Sequence, residues 1–284
     1  MPTAHLVDRG VVSAAGEDVA TLLQGLLTCD VAGLAPGAAV AGALLTPQGK
    51  ILFDFQLLRL PEAQGDGFLF DVAAASVADF IRRLNFYRLR ASAVFTDRSQ
   101  ELAVAAGWGA DAAPLPGLVW TDARHPGLGQ RCIAPRDAVA ALPDAGADAY
   151  RAWRIAAAVA ECGADFAAGD VFPHEAGLDQ FGAVSFGKGC YVGQEVVSRM
   201  QHRGTARARM MAARLPADAA AAPGDAVMAG EKRVGEIRAV SGEAAIALVR
   251  LDRAAEAKAG GLALTVNGAP LQLARPAWAS FDAP

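Results

Sequence analysis

At 284 residues the chain is longer than a typical single domain, and a hydrophobic content of 53%, much of it alanine, supplies two or three modest cores. A net charge of −4 argues against a dedicated nucleic-acid coat, and with no run of about 18 uncharged apolar residues, no membrane-spanning helix is expected. The four cysteines, Cys29, Cys132, Cys162 and Cys190, are far apart and form no C-x-x-C pair, which argues against a zinc knuckle and, in a reducing compartment, against disulfides.

In chain order, residues 1–9 show neither the basic head nor the apolar stretch of a secretory signal, so the expected location is cytoplasmic. A strand is predicted from Val7 to Val12, then a turn to Gly16 and a helix from Glu17 to about Leu27 with Leu22, Leu23 and Leu26 on its apolar face. Leu44 to Phe55 reads as two strands joined at the Pro47-Gln48-Gly49 turn. Phe68 to Val72 is extended, Ser76 to about Asn85 helical, and Ala91 to Phe95 extended again. Residues 105–150, rich in Ala, Gly, Pro and Asp, read as a peripheral subdomain edge with short strands at Leu118 to Thr121 and Gln130 to Ala134. Tyr150 to Glu161 is helical in pattern, and Asp165 to Asp179 is an irregular stretch of a kind more often functional than idle. Beyond about Leu215 a linker leads to strands at Val234 to Val240, Ala245 to Leu251 and Leu262 to Leu273, with a hairpin turn at Asn267-Gly268. This end reads as a small β-barrel or open sandwich, and the mixture of hairpins and helices makes the fold class α+β.

One segment concentrates chemistry. Lys188-Gly189-Cys190-Tyr191-Val192-Gly193-Gln194-Glu195 brings together a thiol, a cation, two glycines and a carboxylate, then enters a short amphipathic helix with Val196, Val197 and Met200 on its apolar side, stopped by Gly204. A thiolate is the reactive form of cysteine, and Lys188 or the helix beginning near Gln194 could lower the Cys190 pKa. The alternative is a small buried hydrophobe, the role of most unpaired cysteines. Iron-sulfur clusters take four ligands, so Cys190 could hold one only jointly with a partner chain or small thiol; no metal site is expected within one chain. Glu195 could accept paired hydrogen bonds from the amino-pyrimidine edge of a pterin, or form an i,i+4 ion pair with Arg199. Arg199, His202, Arg203, Arg207 and Arg209 could bind a polyglutamate tail or RNA phosphates, or line a solvated helix face. His174 and Glu175 could supply acid-base or recognition chemistry but lack a second histidine at ligand spacing. Trp153 could cover a flat ligand or pack its helix.

Three stretches, Tyr150 to Ile155, Phe172 to Asp179 and Phe186 to Glu195, together resemble the YgfZ family of folate-binding proteins, and Arg9 to Val11, Leu22 to Asp30 and Leu45 to Gly49 fit its N-terminal pattern. The K-G-C-Y-x-G-Q-E motif is the specific part. The resemblance implies kinship in fold with the glycine-cleavage T-protein, an aminomethyltransferase that uses tetrahydrofolate. Such a fold is a ring of two α+β subdomains plus a small C-terminal β-barrel around a folate-sized opening. On this sequence it implies a folate-binding region at 1–212, built of two interleaved subdomains (roughly 1–45 with 145–212, and 46–144), and a barrel at 213–284. Where T-proteins carry L-R-L-E-A-G with the acid on the pterin, this chain has Trp153-Arg154-Ile155-Ala156-Ala157-Ala158, so Ala156 takes the acidic position and Ala158 stands where the YgfZ family has glycine. Asp79 falls at the spacing of a T-protein catalytic aspartate, in a loose match that lacks the accompanying asparagine.

The resemblance thus implies an accessory protein rather than an enzyme: a folate-binding factor supporting iron-sulfur cluster assembly or repair, with an indirect effect on tRNA modification by iron-sulfur enzymes. Cys190 would be its functional thiol, set in the motif of Lys188, Gly189, Tyr191, Gly193, Gln194 and Glu195. Tetrahydrofolate or a derivative would lie near Trp153, Arg154, His174, Glu175, Arg199, His202 and Arg203. Partners would be iron-sulfur assembly proteins or client enzymes, with a transient cluster shared at the thiol, and no membrane. The alternative is a folate-dependent aminomethyltransferase or other one-carbon transferase with Asp79 as acid-base group. Direct tRNA binding through Arg199 to Arg209 is a third reading, which the acidic balance disfavours.

Overall fold

The computed structural model describes residues 2–109, 114–204 and 206–282. Its N-terminal part comprises β1 (Thr3–His5), β2 (Arg9–Ala15), α1 (Val19–Leu26), β3 (Ala39–Leu45), β4 (Ile51–Arg59), β5 (Phe68–Ala73), α2 (Val77–Arg88) and β6 (Val94–Asp97). Then come β7 (Leu102–Gly107), β8 (Leu118–Thr121), β9 (Gln130–Pro135), α3 (Arg136–Ala140), α4 (Ala147–Ala156) and α5 (Gln194–Arg203). The chain ends in β10 (Ala208–Arg214), β11 (Ala226–Ala229), β12 (Lys232–Ser241), β13 (Ala244–Arg250), α6 (Leu251–Ala259), β14 (Leu264–Val266) and β15 (Ala269–Ala274).

These strands form a five-stranded antiparallel sheet ordered β3-β4-β5-β2-β6, a four-stranded sheet ordered β1-β7-β9-β8, and a closed barrel ordered β10-β13-β12-β11-β14-β15. The period-two alternation of β4 and β5 decides what each face of the first sheet carries. Phe55, Leu57, Phe68, Phe70 and Val72 pack with Leu23 of α1 and Phe80 and Leu84 of α2. On the opposite face, Leu58 and Leu69 meet Val104, Trp108, Trp120 and Ile133 of the second sheet. Asp54, Gln56 and Asp71 share that second face by the same alternation, so three polar side chains are buried between two sheets.

A network of ion pairs accommodates this burial. Arg131 of β9 pairs with Asp71, Asp122 and Glu161; Arg9 pairs with Asp71, Arg124 with Asp122 and Glu161, and Arg154 of α4 with Asp165 and Glu161. Burial alone would push Glu161 up, yet the guanidiniums of Arg154, Arg124, Arg9 and Arg131 hold it well below the usual carboxylate range. The network therefore joins both sheets, α4 and the loop after it.

The structure corrects several expected elements. The 105–150 stretch is not peripheral, since β7 is a central strand of the second sheet and pairs with both β1 and β9. The helix expected to reach Glu161 stops at Ala156, because Ala158 turns into the left-handed region (φ 55°) and the chain reverses there. A helix, α6, interrupts the run of C-terminal strands. The division expected at 45/46 runs through the β3–β4 hairpin, and the barrel begins at Ala208, ahead of the expected 212/213 boundary.

Candidate functional site

The Cys190 loop is tied to the rest of the protein by contacts on both sides of its thiol. Thr28 Oγ1 donates to Ala183 O (2.7 Å), and Ser185 N donates to Thr28 O (2.8 Å). Lys188 Nζ donates to Leu27 O (2.6 Å) and Cys29 O (2.7 Å), at the carbonyl end of α1. The expectation that Lys188 activates the thiol is therefore corrected: its ammonium is committed to backbone carbonyls, and burial lowers its pKa against the opposing pull of Cys29 and Asp30. Tyr191 is buried beneath that ammonium, with Nζ 5.5 Å from the ring centroid. Gly193 caps α5 in the left-handed conformation (φ 81°), and a Cβ there would lie 2.5 Å from Thr46 O and 3.0 Å from Gly49 Cα. Gly49 in turn (φ 84°) leaves 3.1 Å to Gly193 O, so the β3–β4 turn and the start of α5 interlock backbone to backbone. Gly189 (φ 99°) supplies only a backbone conformation, as its Cβ would meet nothing.

Cys190 itself is exposed. The other three thiols are buried, and burial pushes Cys29 and Cys162 up to about 12 and Cys132 up to about 11. Only Cys190 is open to solvent and to another molecule, so the reading of it as a buried hydrophobe does not hold. Among the described residues, no group of three or more His, Cys, Asp or Glu side chains is placed to hold a metal ion.

A second candidate lies between the sheets. Arg9, Ala41, Gly42, Asp54, Phe55, Gln56, Arg124 and Leu178 line a chamber of about 10 Å³. Asp54 Oδ2 accepts from Cys162 N (2.9 Å), while its Oδ1 is buried without a partner; burial raises its carboxyl to about 6. Gln56 Oε1 accepts from Trp120 Nε1 (2.8 Å) and Ala123 N (2.9 Å), leaving Nε2 buried and unpartnered. An orphan acceptor and an orphan amide donor beside one small chamber form a hydrogen-bonding edge that a buried water or a ligand group would satisfy. The sequence analysis missed both residues. Their signal was two polar side chains at alternate positions in an otherwise apolar strand, Ile51 to Leu58.

The remaining sequence candidates are scattered. Trp153 is partly exposed and its Nε1 donates to Gly127 O (3.0 Å), anchoring a neighbouring turn. Arg154 is consumed by Asp165, Glu161 and Val159 O, so it offers no charge to an anion. His174 is buried, with Nε2 3.0 Å from Gln201 Oε1 of α5, and burial lowers its pKa. Glu175 accepts from Phe172 N (2.8 Å) and shapes its own loop, with burial raising its pKa. Glu195 and Arg199 form the exposed i,i+4 pair at 2.5 Å. His202 and Arg203 are exposed at the end of α5, whereas Arg209 leaves the basic set because it is buried against Asp179 (2.6 Å). Asp79 is on the outer side of α2, exposed and paired with Arg82 (2.7 Å), away from the chamber.

Residues 207–281 match the family described as CAF17, C-terminal beta-barrel domain. Over 225 residues the chain is 32% identical to the mitochondrial iron-sulfur cluster assembly factor IBA57 homolog of Mycosarcoma maydis, covering 73% of this chain and 56% of that protein. The corresponding homologs of Pyricularia oryzae and Chaetomium globosum are 34% and 33% identical over 72% and 79% of this chain, and 55% and 59% of theirs. The chain thus spans somewhat over half the length of these relatives. Among solved structures, glycine cleavage system aminomethyltransferase T from Bartonella henselae superposes with a TM-score of 0.77 at 15% identity, over 98% of this chain and 86% of that one. The fold is therefore that of the T-protein with a closed six-stranded C-terminal barrel, as expected. The expected cytoplasmic location is contradicted by these relatives, each of which is named as mitochondrial.

Proposed function

We propose, from kinship with CAF17- and IBA57-type proteins, that this protein is an accessory factor in iron-sulfur cluster assembly and that Cys190 is the residue through which it handles a cluster. The observation that carries this reading is the contrast among the thiols: three are buried and inert, and one is exposed on a loop whose other residues are fixed by hydrogen bonds and glycine contacts. A cluster arriving as cargo would take one ligand from the Cys190 thiolate and the rest from an assembly protein, a client enzyme or a small thiol. The narrower assignment to the YgfZ branch, with consequences for tRNA-modifying iron-sulfur enzymes, belongs to the same proposal.

Folate is the ligand that the T-protein fold suggests, and the two orphan groups between the sheets match the hydrogen-bonding pattern of its pterin edge, though not its volume. Asp54 Oδ1 would accept from the ring amino group, and Gln56 Nε2 would donate to the ring carbonyl. A bound tetrahydrofolate would supply one-carbon or reducing chemistry. Asp54 and Gln56 would orient it, while Arg9 and Arg124 at the chamber wall would keep the carboxylate in a charged network. At about 10 Å³ the chamber admits a water-sized group, so a heterocycle enters only if the loop carrying Leu178 shifts. The transferase alternative would rest on Asp79, which pairs with Arg82 on the exposed side of α2.

Complementation tests the proposal. In cells lacking the native protein, wild-type chain should restore iron-sulfur enzyme activities, and Cys190→Ser should fail at equal protein level. Full restoration by Cys190→Ser would sink it.

A further inference from the structure

The outer face of α2 is built unlike the rest of the surface. Phe86 is 69% exposed, Leu89 87% and Val94 59%, three large apolar side chains at the end of one helix and the start of the adjoining strand. Residues 77–90 carry four arginines, Arg82, Arg83, Arg88 and Arg90, against one aspartate, on a chain whose net charge is −4. Among the described residues neither Arg83 nor Arg90 has a carboxylate within ion-pairing distance. Leu89 adopts φ 48°, ψ −106°, a backbone conformation disfavoured for any residue with a Cβ, yet its side chain makes little use of the protein's own core. A groove of about 420 Å³ runs beside this patch between Phe53 and Phe86, with Arg83 and the ion pair of Asp79 and Arg82 on its wall. Strand β6, next to α2, is the edge of its sheet and pairs only with β2.

We infer that this face is a docking surface for an acidic protein segment that places an apolar side chain in the groove between Phe53 and Phe86. Charge complementarity selects the occupant: Arg83 on the groove wall and Arg90 beside it lack ion-pair partners among the described residues, the four arginines outweigh the single Asp79, and this excess around an apolar floor matches carboxylates around an apolar anchor. A second copy of this chain would set the same arginines against one another. A nucleic acid would leave Leu89 and Val94 without partners, and the chain's net negative charge opposes its approach. A lipid surface would seat the protruding side chains but not fill a concave groove. The surface is separate from Cys190, and its test involves no cluster.

Fluorescence anisotropy on the full chain can decide. The probe is a labelled amphipathic peptide of about 14 residues with Leu and Phe at i, i+3 and i+7 and Glu elsewhere. Saturable, salt-sensitive binding is expected, weakened about tenfold by Arg83→Glu and again by Leu89→Gly. Leu89→Gly relieves a strained backbone, so its thermal stability should hold or rise while affinity falls, which separates lost contact from lost fold. No saturable binding, or equal affinity for both variants, overturns the proposal. Tighter binding of an oligouridine or of phosphatidylcholine–phosphatidylserine vesicles than of the peptide also overturns it, in favour of nucleic acid or membrane.

Discussion

Asp54 is the buried carboxyl whose burial costs the fold most visibly. Its ordinary pKa of 3.8 applies to the unfolded chain, and burial raises the folded value to about 6. Between those values the folded state holds a proton that the unfolded state has released, so stability falls as pH rises through that window, and the full penalty applies above it. At two pKa units or so, the penalty is about 3 kcal/mol at neutral pH. Asp54→Asn should therefore raise the urea midpoint at pH 7.5 more than at pH 4.5. If Asp54 holds a pterin edge, the same variant should bind tetrahydrofolate more weakly in calorimetry. A variant less stable at pH 7.5 would show that the carboxylate is better satisfied than its orphan oxygen implies. Asp54 and Gln56 alternate in their strand, but that pattern does not reveal which face is buried or what lies opposite, so neither stands out in the sequence. Cys190 was legible because glycines and a lysine surround it, although Lys188 proved to serve the loop rather than the thiol.

At the level of elements, two glycines explain why the Pro47-Gln48-Gly49 turn and the Gly193-Gln194-Glu195 segment occur together. Each lacks a Cβ where the other's backbone passes, and neither motif alone discloses that contact. Gly193→Ala adds left-handed strain to a steric clash and should cost about 2–4 kcal/mol in chemical denaturation. It should also speed alkylation of the buried thiol Cys29 by loosening its loop; unchanged stability would refute the interlock. Ala158 is the counterpart case, an alanine held at φ 55° where the resembled family has glycine. Glycine there would relieve about 1–2 kcal/mol of strain but lose about 0.8 kcal/mol of methyl burial and about 0.4–1 kcal/mol through the unfolded state, so Ala158→Gly should be nearly neutral. Ala158→Val, β-branched in the left-handed region, should instead unfold at markedly lower denaturant. Hairpins, the α5 stop at Gly204 and the barrel strands were legible from periodicity and turn residues. The end of α4 was not, because alanine gives no sign of a left-handed turn.

For the whole molecule, the buried ion network is the feature that no local pattern announced, since its members are spread from Arg9 to Asp165. Removing one guanidinium strands several carboxylates, so Arg131→Met should cost about 3–5 kcal/mol. Asp122 and Glu161 are held below their ordinary values of 3.8 and 4.5, so their contribution is present above those values and is lost as pH falls through the folded ones. Arg131→Met should accordingly shift the acid-unfolding midpoint to higher pH, as followed by circular dichroism. The network ties both sheets and α4 into one body, and on the proposed function that body presents one thiol, Cys190, for cluster chemistry. That claim is tested by anaerobic reconstitution of the full chain with ferric iron, sulfide and glutathione, followed by visible absorption and Mössbauer spectroscopy. The account predicts a sulfur-to-iron charge-transfer spectrum for the wild type and the Cys29→Ser and Cys162→Ser variants, and its loss in Cys190→Ser. An undiminished cluster spectrum in Cys190→Ser would contradict it.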